Sequence, residues 1–208
     1  MANLLLSSRA FCNQAITDAF LTLVKPNATI VIIVNSVTEG KRHPQMQALQ
    51  RTIQQLGFEH VTLLDVLTDD LATLETADAI VLNGGYEFLL LSNLHKMNLL
   101  TRFRQLALAG KPFYGISAGA ILLGPDLDLY TQLYPEDNME QLTHAPAINA
   151  TPIRIYPHYD AHCQLNPNLP SLITDWERQT GSHVTQLTND QGLRIRGTEV
   201  QLIQPASK

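Results

Sequence analysis

The sequence predicts an α/β fold: a doubly wound, mostly parallel sheet with helices on both faces and a β-hairpin on its C-terminal edge. Three observations predict it. Short apolar runs alternate with longer amphipathic stretches, the pattern of β-α units joined by right-handed crossovers. One of these runs, Thr29-Ile30-Val31-Ile32-Ile33-Val34, is β-branched throughout, as expected of a strand covered on both faces. Two short C-terminal runs, 192–195 and 200–203, flank Arg196-Gly197-Thr198, which is how a hairpin reads.

The elements follow in order. Leu4-Leu5-Leu6 is the first strand and 13–23 the first helix; 29–34 is the second strand. After a polar loop, 45–56 reads as a helix closed by Gly57, the residue that most easily takes the left-handed conformation past a helix end. Val61-Thr62-Leu63-Leu64 is a third strand, 69–75 a short helix, and Ala79-Ile80-Val81-Leu82 a fourth strand ending at Asn83-Gly84-Gly85. Segments 88–94 and 99–109 are helical, with Gly110 stopping the second. A fifth strand carries Ser117; 153–156 is a strand and 169–179 a helix before the hairpin.

Composition narrows the function classes. A chain of 208 residues fits one domain spanning 1–208, and 45% hydrophobic residues suffice for a core. The net charge of -5, with no basic cluster beyond Lys41-Arg42-His43, argues against a nucleic-acid partner. The two cysteines form neither a disulfide framework nor a CxxC pair, so a reducing cytoplasm is the expected location. The apolar start lacks the basic residues and length of a signal sequence, and no run approaches the roughly 18 apolar residues of a membrane span. No membrane partner is expected, and a homodimer is left open.

The chemistry concentrates at Gly115-Ile116-Ser117-Ala118-Gly119. An apolar strand, a sharp turn with small residues around a serine, and then a helix read as a nucleophile elbow. Any side chain at Gly115 or Gly119 would collide with the adjoining strand and helix backbones. The Ala118 amide would lie at the helix N-terminus, where an unpaired donor can hold an oxyanion. A serine hydroxyl needs a base, and His158 is the best placed of seven histidines, because it follows a strand and Pro157. Tyr159 offers it an aromatic wall. His43, His60, His95, His144 and His183 lie in polar or helical contexts and read as solvated. His158, Asp160 and His162 have metal-ligand spacing, but no second ligand cluster supports it. No metal and no cofactor are expected, and His162 and Cys163 read as loop residues beside the site. Asp126, Asp128, Glu136 and Asp137 all lie between serine and histidine as candidates for the orienting acid.

At these residues the chain resembles the dipeptidase E family of serine peptidases, which includes aspartyl dipeptidases and cyanophycinases. The opening Leu4-Leu5-Leu6-Ser7-Ser8, the loop Asn83-Gly84-Gly85-Tyr86-Glu87-Phe88, the elbow at Ser117, Tyr156-Pro157-His158-Tyr159 and the tail Leu187-Thr188-Asn189-Asp190-Gln191 carry the resemblance. It implies a class I glutamine amidotransferase-like fold and cleavage of very short peptides without metal. It also implies Ser117 as nucleophile, His158 as base, and Gly85 and Ala118 as oxyanion-hole donors. Gly84, Tyr86 and Tyr159 would line the substrate. The family's acid, about twenty residues before the histidine, points to Glu136, with Asp137 its close competitor.

Two departures bear on specificity. Tyr86 stands where the family has asparagine, and the stretch 161–176 contains no arginine to bind an acidic side chain. Strict aspartyl specificity is therefore not expected. The leading expectation is a metal-independent serine peptidase acting through a Ser-His-acid triad and an acyl-enzyme. Alternatives are a catalytically impaired ligand-binding relative and an α/β-hydrolase-type esterase. The esterase ranks last, because about fifty residues and a hairpin follow His158.

Overall fold

The computed structural model describes residues 1–139, 141–142 and 144–206. Through them the chain runs β1 (Asn3–Ser7), α1 (Gln14–Leu23), β2 (Ile30–Ile33), α2 (Pro44–Gln55), β3 (Val61–Leu64), α3 (Thr73–Thr76), β4 (Ala79–Leu82), α4 (Glu87–Lys96), α5 (Leu99–Leu108), β5 (Phe113–Ile116) and α6 (Ala118–Leu123). It continues through α7 (Asp128–Leu133), β6 (Arg154–Tyr156), α8 (Tyr159–Leu165), α9 (Leu169–Thr180), β7 (Val184–Gln186), β8 (Gly192–Arg196) and β9 (Glu199–Ile203).

The main sheet has the order β3-β2-β4-β5-β1-β8-β9. The first five strands are mutually parallel, and the hairpin β8–β9 is added antiparallel beside β1. This is the doubly wound, class I glutamine amidotransferase-like arrangement the sequence predicts. Successive strand residues point to opposite faces, and each face buries its own core. On one face Leu5, Ile30, Ile32, Val81 and Tyr114 pack under Ile16 and Phe20 of α1 and Leu49 and Ile53 of α2. On the other, Leu4, Leu6, Val31, Ile33, Ile80, Leu82 and Phe113 pack under Leu90 and Leu94 of α4 and Phe103 of α5. An unbroken apolar strand such as β2 is required because both of its faces are covered.

Three features differ from the sequence expectations. The helix expected over 69–75 shrinks to the single turn α3. Asp65, Asp69 and Asp70 instead accept the backbone N–H groups of Leu67, Asp65 and Ala72, and such local bonds compete with a helix ladder. The segment containing His162 and Cys163 is the helix α8, not a loop. Finally, β6 pairs in parallel with β7 in a separate two-stranded sheet, a long-range pairing that the short run 184–186 did not signal.

This topology gathers the chemistry at one edge. The carboxyl ends of β1, β4 and β5 are neighbours in the sheet, so Ser8, Asn83 and Ser117 emerge together, where α/β sheets bind ligands. The capping side chain of Asn13 accepts the Ile16 N–H at 3.0 Å and donates to Asp190 O at 2.8 Å. That second bond ties the start of α1 to the loop after β7, which enters the site.

Candidate active site

Ser117 sits between β5 and α6 with φ 49° and ψ -113°, a conformation costing about 1–3 kcal/mol for a residue with a side chain. Packing enforces it. The Ser117 N–H donates to Ser7 O at 2.9 Å, and its carbonyl accepts from Ala120 and Ile121. A Cβ on Gly115 would stand 2.7 Å from the Ala120 Cα, and one on Gly119 2.0 Å from the Leu82 carbonyl oxygen. The strand, the turn and the helix can therefore close around the serine only with glycine at both positions.

His158 precedes α8 in the left-handed conformation, φ 58° and ψ 24°, with its N–H donated to Ser8 Oγ at 3.2 Å. Its Nε2 lies 2.9 Å from Ser117 Oγ, and its Nδ1 2.6 Å from Asn189 Oδ1. An amide oxygen only accepts, so Nδ1 carries the proton and Nε2 presents its lone pair to the serine hydroxyl. Asn189 arrives through the small sheet: Leu187 N–H donates to Tyr156 O at 2.9 Å, and Tyr159 N–H to Leu187 O at 3.0 Å. The Asn189 N–H in turn donates to Asp160 Oδ1 at 2.9 Å.

The loop after β4 supplies the facing wall. Ser36 is fully buried and holds it from both sides, its Oγ donating to Gly84 O at 2.7 Å and its carbonyl accepting the Tyr86 N–H at 2.8 Å. Gly85 has φ +144°, and a Cβ there would meet Ser36 O at 2.4 Å. Gly84 packs against the serine itself, the Cβ position being 3.1 Å from Ser117 Cβ. Ala118 is the first residue of α6, so its N–H has no acceptor within the helix. Gly85 thus lines the cavity beside Ser117, and Ala118 follows the serine at the start of α6.

The structure brings Ser117, His158, Gly84, Gly85 and Ala118 together. Tyr86 is 64% exposed and lines a cavity on the Ser117 side. The Tyr159 ring stands edge-on to Tyr156. Glu136 is exposed and lines a separate cavity with Phe88, Asp137 and Met139, and no bond joins it to His158. The position on Nδ1 that sequence reasoning gave to Glu136 is held by Asn189. Asn189, Ser8 and Ser36 were not singled out by sequence reasoning. The first two lie in the tail and the opening segment that carry the family resemblance, but an amide and a hydroxyl there have no distinctive spacing.

Two cavities meet at Ser117 and His158. The larger, about 680 Å³, is lined by Arg9, Phe11, Gln45, Thr52 and Asn189 among others. The smaller, about 280 Å³, is lined by Glu87, Tyr130, Tyr134, Asp137, Tyr156 and His162 among others. Burial pushes the Glu87 carboxyl up from 4.5 to about 7, and the Asp137 charge adds to the rise. Arg154 is committed away from this cavity. Its guanidinium bonds both Asp126 oxygens and lies 5.7 Å over the Trp176 ring.

Comparison with known proteins places these residues in a wider group. A sequence model described as peptidase family S51 matches residues 4–203. An uncharacterized peptidase of Listeria innocua is 27% identical over 184 residues, covering 86% of this chain and 82% of that protein. Peptidase E of Haemophilus influenzae is 33% identical over 98 residues, 47% of this chain and 38% of that protein. The crystal structure of a Listeria monocytogenes protein provisionally described as a peptidase E superposes with a TM-score of 0.80. It is 24% identical and covers 99% of this chain and 100% of that one, a likeness of fold.

Proposed function

Because the chain belongs to peptidase family S51, we propose that it hydrolyses short peptides with Ser117 as nucleophile and His158 as general base. The observation that carries this reading is the 2.9 Å hydrogen bond from the strained elbow serine to a histidine whose far nitrogen is already held. Ser117 Oγ attacks the peptide carbonyl as His158 Nε2 takes its proton. The oxyanion forms between the Gly85 and Ala118 N–H groups, and His158 then delivers the proton to the leaving amine. Water, deprotonated by the same nitrogen, releases the acyl group. Removing one oxyanion donor costs about 10²–10³-fold in comparable sites, and positioned base catalysis contributes about 10²–10⁴-fold. Neither contribution needs a metal. A fluorophosphonate probe tests the nucleophile: stoichiometric labelling located on Ser117 is expected, and an unlabelled, folded protein would sink the proposal.

Asn189 gives the site a neutral partner for the histidine. It can hold the imidazole in the working tautomer, as asparagine does in papain-like Cys-His-Asn sites, but it offers a dipole rather than a full charge to the imidazolium. Asn189→Ala is expected to lower kcat about tenfold to a hundredfold with little change in KM, and Asn189→Asp to restore it. A drop in melting temperature that tracks the drop in rate would make Asn189 a structural residue instead. The neutral partner also favours a second reading, a peptide-binding protein with impaired turnover. Substoichiometric probe labelling together with peptide binding would support that reading.

A further inference from the structure

Ser117 stands between cavities of opposite character. Arg9 lines the larger, and among the described residues no carboxylate pairs with it. The smaller carries the carboxyl groups of Glu87 and Asp137, and neither lysine nor arginine lines it. Among the described residues no cationic side chain pairs with either acid. Two histidines line this cavity: His158, bonded to Ser117, and His162, whose pKa is lowered by burial and by His158, against the opposing charge of Asp160. The His162 Nδ1 is taken by the Tyr156 hydroxyl at 2.8 Å.

The walls suit a cation. The Tyr130 and Tyr156 rings lie parallel with centroids 5.8 Å apart, and the Tyr134 ring stacks on Tyr130 at 6.2 Å. Aromatic faces attract a cation through the ring quadrupole. Their polar ends are already satisfied: Tyr130 Oη donates to Ile155 O at 2.9 Å, and the Tyr134 and Tyr156 hydroxyls bond each other. The two carboxyls have no cationic partner: Glu87 has only a hydrogen bond to its own backbone, and Asp137 is exposed. A desolvated carboxyl without a cation opposes folding, so the place of Glu87 in the cavity that Ser117 lines points to use rather than to stability.

We propose that this cavity is the subsite for the acyl-side residue of a short peptide and that it selects a positively charged nitrogen, either the free α-ammonium or a basic side chain. The proposal rests on reading Ser117 as the nucleophile. In a dipeptide the ammonium lies on the acyl residue and the carboxylate on the leaving residue. Glu87 with Asp137 on one side of Ser117 and Arg9 on the other match that polarity. At about 280 Å³, just below the usual range for ligand pockets, the cavity has room for one residue rather than a long chain. The acidic side chain that the family resemblance suggested would meet like charge here.

The test uses Ser117→Ala, in which peptide is bound but not consumed, with dissociation constants measured by calorimetry. Ala-Leu against N-acetyl-Ala-Leu reads the α-ammonium. N-acetyl-Lys-Leu against N-acetyl-norleucyl-Leu reads the side chain. At least one pair is expected to differ by about tenfold in favour of the cation, the size of one charge-assisted hydrogen bond. In Ser117→Ala/Glu87→Gln that difference should shrink to twofold or less. Equal affinities within both pairs, a preference that survives Glu87→Gln, or no binding of any of the four would overturn the proposal. Hydrolysis by the wild-type protein, measured in parallel, separates the two claims. Preference without hydrolysis overturns the catalytic reading alone, and hydrolysis without preference overturns the subsite alone. Thermal melts guard against misfolding. The folded protein holds the Glu87 proton more tightly than the unfolded chain, so this group's contribution to stability falls as pH rises from 4.5 to about 7. Glu87→Gln should therefore melt no lower than its parent at pH 8.

Discussion

Ser117→Ala is expected to lower hydrolysis of short peptides by at least about 10³-fold while the protein stays folded. The change removes one atom, Oγ, and with it the hydrogen bond to His158 Nε2. Nothing else within the hydrogen-bond network can replace it as nucleophile, because Ser8 Oγ donates to Leu187 O and accepts the His158 N–H, while Ser36 Oγ donates to Gly84 O. The cost to stability is small. Alanine keeps the Cβ and the same strained φ, and the lost bond contributes about 1 kcal/mol at a partly exposed site. Rate is read with a dipeptide series and folding with a thermal melt. Turnover equal to wild type would show that Ser117 is not the nucleophile.

Gly119→Ala is expected to be the most damaging single methyl addition in this region, on the order of 4 kcal/mol or more. Its Cβ would lie 2.0 Å from Leu82 O, 2.5 Å from Leu82 C and 2.7 Å from Leu82 Cβ. Two of those three atoms are backbone of β4, so no rotamer change relieves the overlap. Relief requires moving α6 off the sheet, which parts Ser117 from the loop carrying Gly84 and Gly85. At this chain length the loss corresponds to a fall of roughly 10 °C in melting temperature, or to failure to fold. Gly181→Ala is the control. That residue, unlike Gly119, has positive φ, +67°, but nothing lies within 4 Å of the added methyl, so only the left-handed penalty of about 1–2 kcal/mol remains. Equal melting temperatures for the two variants would show that close packing at Gly119 does not hold the elbow.

The two cases differ in how far the sequence announces them. Gly115, Ser117 and Gly119 lie within five residues, so their joint requirement is local and legible as a pattern. The same holds for the β-branched run of β2 and for the alternation that fills both faces of the sheet. Gly85 was legible through its paired glycine, although the residue that holds it, Ser36, lies 48 positions before Gly84 on another loop.

The orienting partner of His158 was not legible. An acid between serine and histidine was expected, and Glu136 met that description, yet the imidazole faces Asn189, 31 residues beyond it. What decides this is the parallel pairing of β6 with β7, two three-residue strands. Strands that short carry too little periodicity to be read, and their register depends on partners distant in sequence. Glu87 shows the same division. Its place in the first turn of α4 suits a carboxylate at the positive end of a helix, a local preference visible in the residues. Its place in the wall of a tyrosine-lined cavity depends on α7 and β6 closing over it.

Hydrophobic period, glycine spacing and strand order are properties of contiguous chain, and they sufficed to define the doubly wound sheet, the elbow at Ser117 and the histidine at the end of β6. Which polar group turns toward that histidine, and which charge faces each side of the serine, depend on contacts between segments far apart in the chain. Such contacts are selected by packing and by the need to satisfy buried polar groups, and neither leaves a local pattern. Only the folded chain could place Asn189 on His158 and line one cavity at Ser117 with Glu87 and the other with Arg9.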